Sequence, residues 1–308
     1  MKSVDFGNGF HVVIGGEFPL CNTPVILSDE VTVIDPGCRL EDLRAFLKSH
    51  SIDFNEIDNV VLSHIHPDHI THAARIQRLA KAKIIANEIT APCFNDKEEM
   101  KMLLGFHPKQ KVRPFWEQLV NDRMYGALDD GSVDIVLQDR ETLTLGNVVM
   151  RTLYTPGHLP DHMCLEFPEI GYVFGADIDC TDFGPFYGHP SSSIPLFKES
   201  IQMLRDMEFK GLISGHLADP LVEDYKGALK SYELQIDMRD DFVLMAISGG
   251  AGTIDEITMT PIIYRSLSNL VFLQFEKWMI EHHVNSLVVE KLVAVEDDRY
   301  IAKQTPSS

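Results

Sequence analysis

The stretch Ser63-His64-Ile65-His66-Pro67-Asp68-His69 constrains this chain more than any other part of it. Val60-Val61-Leu62 just before it is short and apolar and reads as a buried strand. Ile70 to Lys81 after it reads as a helix. His64 and His66, two apart at the end of a strand, can send their rings from the same side. Asp68 and His69 follow in the turn that opens the helix. Four ligand-type residues within six positions crowd a single ion but suit a pair. One ion would take His64 and His66, the other Asp68 and His69. Two-metal hydrolytic sites typically hold their ions about 3.5–4 Å apart.

Each ion then needs ligands from distant parts of the chain, and these occur where other strands end. Thr155-Pro156-Gly157-His158 follows a strand read over Val148 to Tyr154 and offers a third ligand to the first ion. Gly175-Ala176-Asp177 follows Tyr172 to Phe174 and offers a carboxylate able to bridge both ions. Ser214-Gly215-His216 closes the strand Gly211 to Ser214 and completes the second ion. Small residues in such turns let backbone approach a metal centre closely. Any one of these residues alone reads as an ordinary loop residue. Their order, and their shared place at strand ends, points to a site.

Strands are also expected at Phe10 to Gly15, Pro24 to Leu27, Val31 to Ile34, Lys83 to Ala86, Val133 to Val136, Thr142 to Leu145 and Met163 to Phe167. Asp35-Pro36-Gly37 reads as a turn. Helices are expected at Leu40 to His50 and Ile194 to Glu208. Residues 87–140 are polar and helical in patches, an insertion over the active-site edge of a catalytic domain at 1–218. Residues 219–308 read as mostly helical: Val222 to Ser248, a new helix capped by Thr253, Leu267 to Leu292, then strand, turn and strand to Ala302. That ending is winged-helix-like, yet Glu290, Glu296, Asp297 and Asp298 make it a poor match for DNA, so it is read as a cap on the pocket or a homodimer contact.

His64-Ile65-His66-Pro67-Asp68-His69, with His158, Asp177 and His216, resembles the His-x-His-x-Asp-His signature and the later His, Asp and His of the metallo-β-lactamase superfamily, from about residue 10 to 218. The resemblance implies an α/β fold, a four-layer αββα sandwich with a helical C-terminal appendage and metals at one edge of two sheets. It assigns His64, His66 and His158 to the first ion, and Asp68, His69 and His216 to the second, with Asp177 between them. Thr155-Pro156-Gly157-His158 with Asp161-His162-Met163 is similar to the glyoxalase II-like branch, which contains thioesterases and some ribonucleases. Leu159 stands where many relatives have Thr, and Ala176 where Gly is usual. The activity implied is metal-dependent hydrolysis of a small-molecule thioester, ester or lactone by a hydroxide shared between the ions, with Asp68 as the catalytic carboxylate. Two divalent ions are expected, zinc first, with iron or manganese as alternatives, because His and carboxylate ligands suit all three. A metal-dependent ribonuclease, a mononuclear iron persulfide dioxygenase and a non-enzymatic regulator with a retained metal site are the competing functions.

A net charge of −19 disfavours nucleic acid as partner and leaves a small molecule. No apolar run reaches the roughly 18 residues of a membrane span, and the start of the chain does not read as a signal peptide, so a cytoplasmic protein is expected. Five widely spaced cysteines imply reduced thiols rather than a disulfide framework. Tyr187 and His189 are candidates to face the substrate. Phe106, Phe115 and Trp116 in the insertion, and Phe272, Phe275 and Trp278 near the end, are candidate pocket walls. His162 reads as a buried group near the ligands, His72 as a helix-surface residue, and His282 and His283 as ordinary helix residues.

Overall fold

Neighbouring residues of the central strands belong to different hydrophobic cores, and that alternation builds the layers. In the computed structural model, which describes residues 2–123, 128–267 and 269–303, β1 (Ser3–Asp5), β2 (Phe10–Val13), β3 (Thr23–Ile26), β4 (Val31–Ile34), β5 (Ile57–Val61), β6 (Lys83–Asn87) and β7 (Ile135–Leu137) form one sheet in that order. β8 (Thr142–Leu145), β9 (Val148–Tyr154), β10 (Met163–Phe167), β11 (Tyr172–Ala176), β12 (Gly211–Ser214) and β13 (Leu221–Val222) form a second, in reverse order from β13 to β8. Ile26, Ile34, Val61 and Ile85 of the first sheet meet Met150, Leu165, Phe174 and Ile213 of the second in an inner core. Their neighbours Val25, Val33, Val60 and Ile84 face outward. Such period-two alternation with both faces apolar requires a covering layer on each side.

Helices supply those layers. α1 (Leu40–Ser49) buries Leu43, Phe46 and Leu47 against the first sheet. The helix expected over Ile70 to Lys81 is broken into α2 (Pro67–Ile70) and α3 (Ala73–Ala80). The break lies at His72, whose N–H donates to the Pro36 carbonyl while its Nε2 bonds the Cys38 carbonyl. His72 is therefore buried, not on a helix surface as its spacing implied. The insertion carries α4 (Thr90–Asn95), α5 (Lys97–Leu103) and α6 (Arg113–Arg123). On the outer face of the second sheet, α7 (Ile194–Asp206) and α8 (Tyr225–Ser248) pack Phe197, Ile201, Leu204, Leu229 and Ile236 against Leu153, Val173 and Leu212.

The C-terminal segment is helical, with α9 (Ile254–Ile257) and α10 (Leu270–Val289) packed on α8 around Val243, Ile247, Ile280 and Val284. Thr253 caps α9 by accepting from Glu256 N–H, and Glu256 reaches back to Gly252 N–H. The closing hairpin, β14 (Val293–Glu296) and β15 (Arg299–Ala302), turns through Asp297 and Asp298, both at positive φ as its two-residue loop demands. The five cysteines are free, and none of the described helices is long and apolar enough to cross a membrane.

Candidate metal centre

Every candidate ligand sits where a strand of the two sheets stops. β5 delivers His64 and His66, and Pro67 at the first turn of α2 swings Asp68 and His69 beside them. β9 leads to His158, β11 to Asp177 and β12 to His216. The turns are tight. A side chain at Gly37 would strike the Asp68 carbonyl at 1.6 Å, and one at Gly215 would strike the Ala176 carbonyl at 2.5 Å. Ala176 adopts φ 46°, a left-handed conformation that favours glycine, so its β-carbon is tolerated there at some cost.

Asp177 divides the centre in two. Its Oδ2 lies 3.1 Å from His158 Nε2, 3.5 Å from His66 Nδ1 and 3.6 Å from His64 Nε2. Its Oδ1 lies 2.7 Å from His69 Nε2 and 3.2 Å from His216 Nε2. Asp68 Oδ2 stands on the second side, 3.6 Å from His216 Nε2 and 4.0 Å from His69 Nε2. The side chains thus gather into two ligand-sized groups, His64, His66, His158 and Asp177 on one side and Asp68, His69 and His216 on the other.

A second ring of hydrogen bonds decides which nitrogen of each histidine faces the centre. His158 Nδ1 donates to the Phe186 carbonyl and His216 Nδ1 to the Leu20 carbonyl. His69 Nδ1 donates to Asp35 Oδ2 at 2.8 Å. Ser63 Oγ donates to the same oxygen at 2.5 Å and accepts from His64 Nδ1 at 2.8 Å. His66 is oriented through His189. The Leu104 carbonyl can only accept, so His189 Nδ1 carries the proton and its Nε2 accepts from His66 Nε2 at 2.9 Å. Each ring is therefore anchored at one nitrogen and presents the other inward. Outer partners of this kind fix the tautomer of metal-bound histidines.

The inward nitrogens fit a cation. His158 Nε2 and His66 Nδ1 are 2.9 Å apart, each on a ring whose other nitrogen is held by an outer hydrogen bond, so both nitrogens turn into the same space. His64 Nε2 is buried without a hydrogen-bond partner. Burial holds His64 well below the usual histidine range and, with repulsion from His158, takes His66 down to about 4. On the other side burial also disfavours charge, but Asp177 raises His69 well above its ordinary value and, with Asp68, takes His216 up to about 9. Burial opposes the charge of Asp177 too, yet His69 and His158 hold it well below the carboxylate range. Protons on His69 and His216 thus occupy the place of positive charge, and a cation bound there would displace them.

A family model described as the metallo-beta-lactamase superfamily matches residues 19–245. The chain belongs to that superfamily. A metallo-beta-lactamase fold-containing protein of Sulfurisphaera tokodaii is 27% identical over 257 residues, covering 75% of this chain and 88% of its own. A hydroxyacylglutathione hydrolase of Francisella tularensis subsp. novicida is 33% identical over a shorter stretch of 78 residues, 25% of this chain and 27% of its own. Among solved structures, a metallo-beta-lactamase family protein from Thermus thermophilus superposes with a TM-score of 0.76 at 18% identity, covering 97% of this chain and all of that one. Superfamily membership and the His/Asp cluster together support binding of divalent metal.

Seen from this metallo-beta-lactamase centre, the two residues expected to face substrate part company. Tyr187 does not line the cleft. It is fully buried, its hydroxyl bonded to His283 Nε2 at 2.7 Å and to Arg239 at 3.0 Å, because the loop after Asp177 folds it under α8 and α10. His283, expected to be an ordinary helix residue, is a buried member of that group and also bonds Asp240. His189 borders the cleft but its ring is engaged by His66, and His282 bonds the His189 carbonyl. His162 receives the Asp177 N–H on Nε2 and so steadies the backbone at Asp177.

Replacing His189 with Ala is expected to weaken binding at the His64–His66–His158 side about 10- to 100-fold, the usual loss for an outer partner, and to leave the other side nearly unchanged. Chelator competition with stepwise metal addition reads the two affinities separately. His189→Gln, which keeps an acceptor, should recover part of the loss. Equal affinities in wild type and the alanine variant would remove His189 from this role.

Asp161 behaves differently. It is buried, one oxygen accepts from Thr90 Oγ1 and the other has no partner, and burial pushes its carboxyl up to about 6. Its folded value is therefore above its unfolded one. Between pH 3.8 and about 6 the folded chain keeps a proton that the unfolded chain releases, so stability falls as pH rises through that window. By neutral pH the cost is about 3 kcal/mol. Asp161→Asn is expected to unfold at higher denaturant than wild type at pH 8 and to lose that advantage near pH 4. Identical midpoints at pH 8 would contradict it.

Proposed function

We propose that this chain is a two-metal hydrolase of a small-molecule thioester, ester or lactone. The observation that carries the reading is the pairing of two inward-facing histidine nitrogens, His66 Nδ1 and His158 Nε2, with a carboxylate, Asp177, that faces a second histidine set through its other oxygen. His64, His66, His158 and Asp177 would hold one ion, and Asp68, His69, His216 and Asp177 the other. Divalent ions in such a site acidify water towards neutral pH and polarise a substrate carbonyl.

The remaining roles belong to the chain itself. Asp68 lies 3.6 Å from His216 on the cleft floor, placed to orient the attacking water and accept its proton. Water adds its oxygen to the acyl carbon, the bond to sulfur or oxygen breaks, and the leaving thiol or alcohol takes up the proton. Asp35, His189 and the Phe186 carbonyl keep the histidines from rotating during this exchange. The short similarity to a hydroxyacylglutathione hydrolase favours acyl transfer to water over phosphodiester cleavage. Zinc is the first metal to try, with iron and manganese beside it.

The test is purified protein loaded in turn with each metal and offered thioesters, esters, lactones and a structured RNA. Hydrolysis of an acyl substrate at two ions per chain, lost on chelation and restored by metal, is the expected result. RNA cleavage without acyl hydrolysis, or a stoichiometry that never passes one ion, would overturn it.

A further inference from the structure

The cleft above the centre has a volume of about 860 Å³, and its walls come from the parts of the chain added to the sandwich. Trp116 and Leu119 of α6 form one side. Phe272 and Phe275 of α10 and Tyr264 just before it form another, and Phe186 closes the floor beside His66. The rings contact one another: Tyr264 stacks on Phe272 at 5.4 Å, and Phe186 meets Phe275 edge-on at the same distance. Trp278 and Phe106 stand behind this wall in the core, and Phe115 points to solvent.

Acidic side chains outnumber basic ones around the cleft. Glu17, Asp179 and Asp182 line it above the ligands. Of the lysine and arginine side chains, only Arg239 and Arg265 are found among its described lining residues. Arg239 is already engaged. It donates to the Phe183 and Pro185 carbonyls and to the Tyr187 hydroxyl. Arg265 is exposed and lines the same cleft. A ligand with several anionic groups away from its reacting carbonyl would find three carboxylates and two guanidinium groups, one of which, Arg239, has its donors already committed to the Phe183 and Pro185 carbonyls and the Tyr187 hydroxyl. A ligand with an alkyl or aryl chain would find aromatic walls.

We infer that the substrate is an uncharged ester, lactone or thioester with an extended alkyl or aryl acyl group, and that the cleft disfavours carriers with carboxylate or phosphate groups, such as a glutathione or nucleotide thioester. The inference rests on the hydrolase reading and narrows it. It also departs from the substrate named for the Francisella relative. Apolar burial makes the chain length of the acyl group the main source of affinity, about fourfold per added methylene. The acids act by repelling anionic handles in a space partly sheltered from water, where like charges repel more strongly than in bulk.

Binding is measured first, by calorimetry on the metal-loaded protein with ligands that lack a hydrolysable bond. Methyl hexyl ketone should bind more tightly than methyl propyl ketone by about fourfold per methylene, and more tightly than S-hexylglutathione, which carries the same alkyl group. Phe272→Ala should flatten the chain-length series. Asp182→Lys, at an exposed position on the cleft, should raise affinity for S-hexylglutathione several-fold relative to that for the ketones. Hydrolysis is measured second, comparing neutral esters and lactones of increasing chain length with an acylglutathione. No chain-length dependence, or tighter binding of S-hexylglutathione to the unaltered protein, overturns the inference. Preferred turnover of the acylglutathione would also overturn it while leaving the hydrolase reading intact. Chain-length-dependent ketone binding without hydrolysis of any acyl compound would leave the cleft inference standing and remove the hydrolase reading.

Discussion

Asp177→Ala is expected to abolish hydrolysis and to lower metal content below two ions per chain. The magnitude follows from position. Losing an outer partner of a metal ligand typically costs about 10- to 100-fold, and Asp177 is central to both halves, so its loss should exceed about 100-fold in turnover. Its Oδ2 serves the His64, His66 and His158 side and its Oδ1 the His69 and His216 side. Without it, two cations a few ångströms apart would repel with no negative charge between them. The variant should therefore retain one ion at most, and the weaker side should empty first. Atomic absorption on the purified variant, together with acyl hydrolysis at saturating metal, gives both numbers. The backbone is not at risk, since the Asp177 N–H still donates to His162 and its carbonyl still accepts from Tyr232. A variant that keeps two ions and wild-type turnover would take Asp177 out of the centre.

The candidate centre was legible in the sequence because its donors follow strands, and the turns before His158, Asp177 and His216 are made of small residues. The periodicity of Val60-Val61 and of Val148 to Tyr154 reports where strands stop, so the positions after them can be read without coordinates. The ring that orients those donors obeys no such rule. Asp35 reads as the first residue of an Asp-Pro-Gly turn. Its meaning arises only because β4 lies parallel to β5, so that the end of one strand meets Ser63 at the end of the other. His189 and Tyr187 both lie in the loop after Asp177, and sequence offered no reason to separate them. Packing against α10 does so, turning the Tyr187 hydroxyl to His283 and the His189 ring to His66. Phe106, Phe115 and Trp116 are equally apolar, and only the fold sends one to the core, one to solvent and one to the cleft. Contacts between distant segments are fixed by tertiary packing, which periodicity within one segment does not encode.

The second large effect is expected at Asp35. This carboxylate is fully buried and accepts three hydrogen bonds, from Ser63 N–H at 2.7 Å, Ser63 Oγ at 2.5 Å and His69 Nδ1 at 2.8 Å. Through Ser63 it fixes His64, and directly it fixes His69, so it orients one ligand on each side of Asp177. Asp35→Ala would leave three buried donors without an acceptor, at about 1–3 kcal/mol each. It would also place alanine at φ 43°, where an aspartate is better tolerated. Loss of stability and loss of metal affinity would then be mixed. Asp35→Asn separates them, because asparagine accepts the same backbone conformation and nearly the same volume. Its amide still fails the site. Whichever way the group turns, one face presents N–H to a donor: either to Ser63 N–H, or to Ser63 Oγ and His69 Nδ1. Relieving that clash requires Ser63 to release His64 or His69 to turn over, and either change removes an inward nitrogen from the centre. The expected result for Asp35→Asn is a folded protein whose affinity falls about 10- to 100-fold on both sides, in contrast with the one-sided loss at His189→Ala. Chelator competition distinguishes the two patterns. If Asp35→Asn weakened only one side, the sharing of this carboxylate between His64 and His69 would be wrong. If it weakened neither, the orientation of the ligands would have to come from their packing alone.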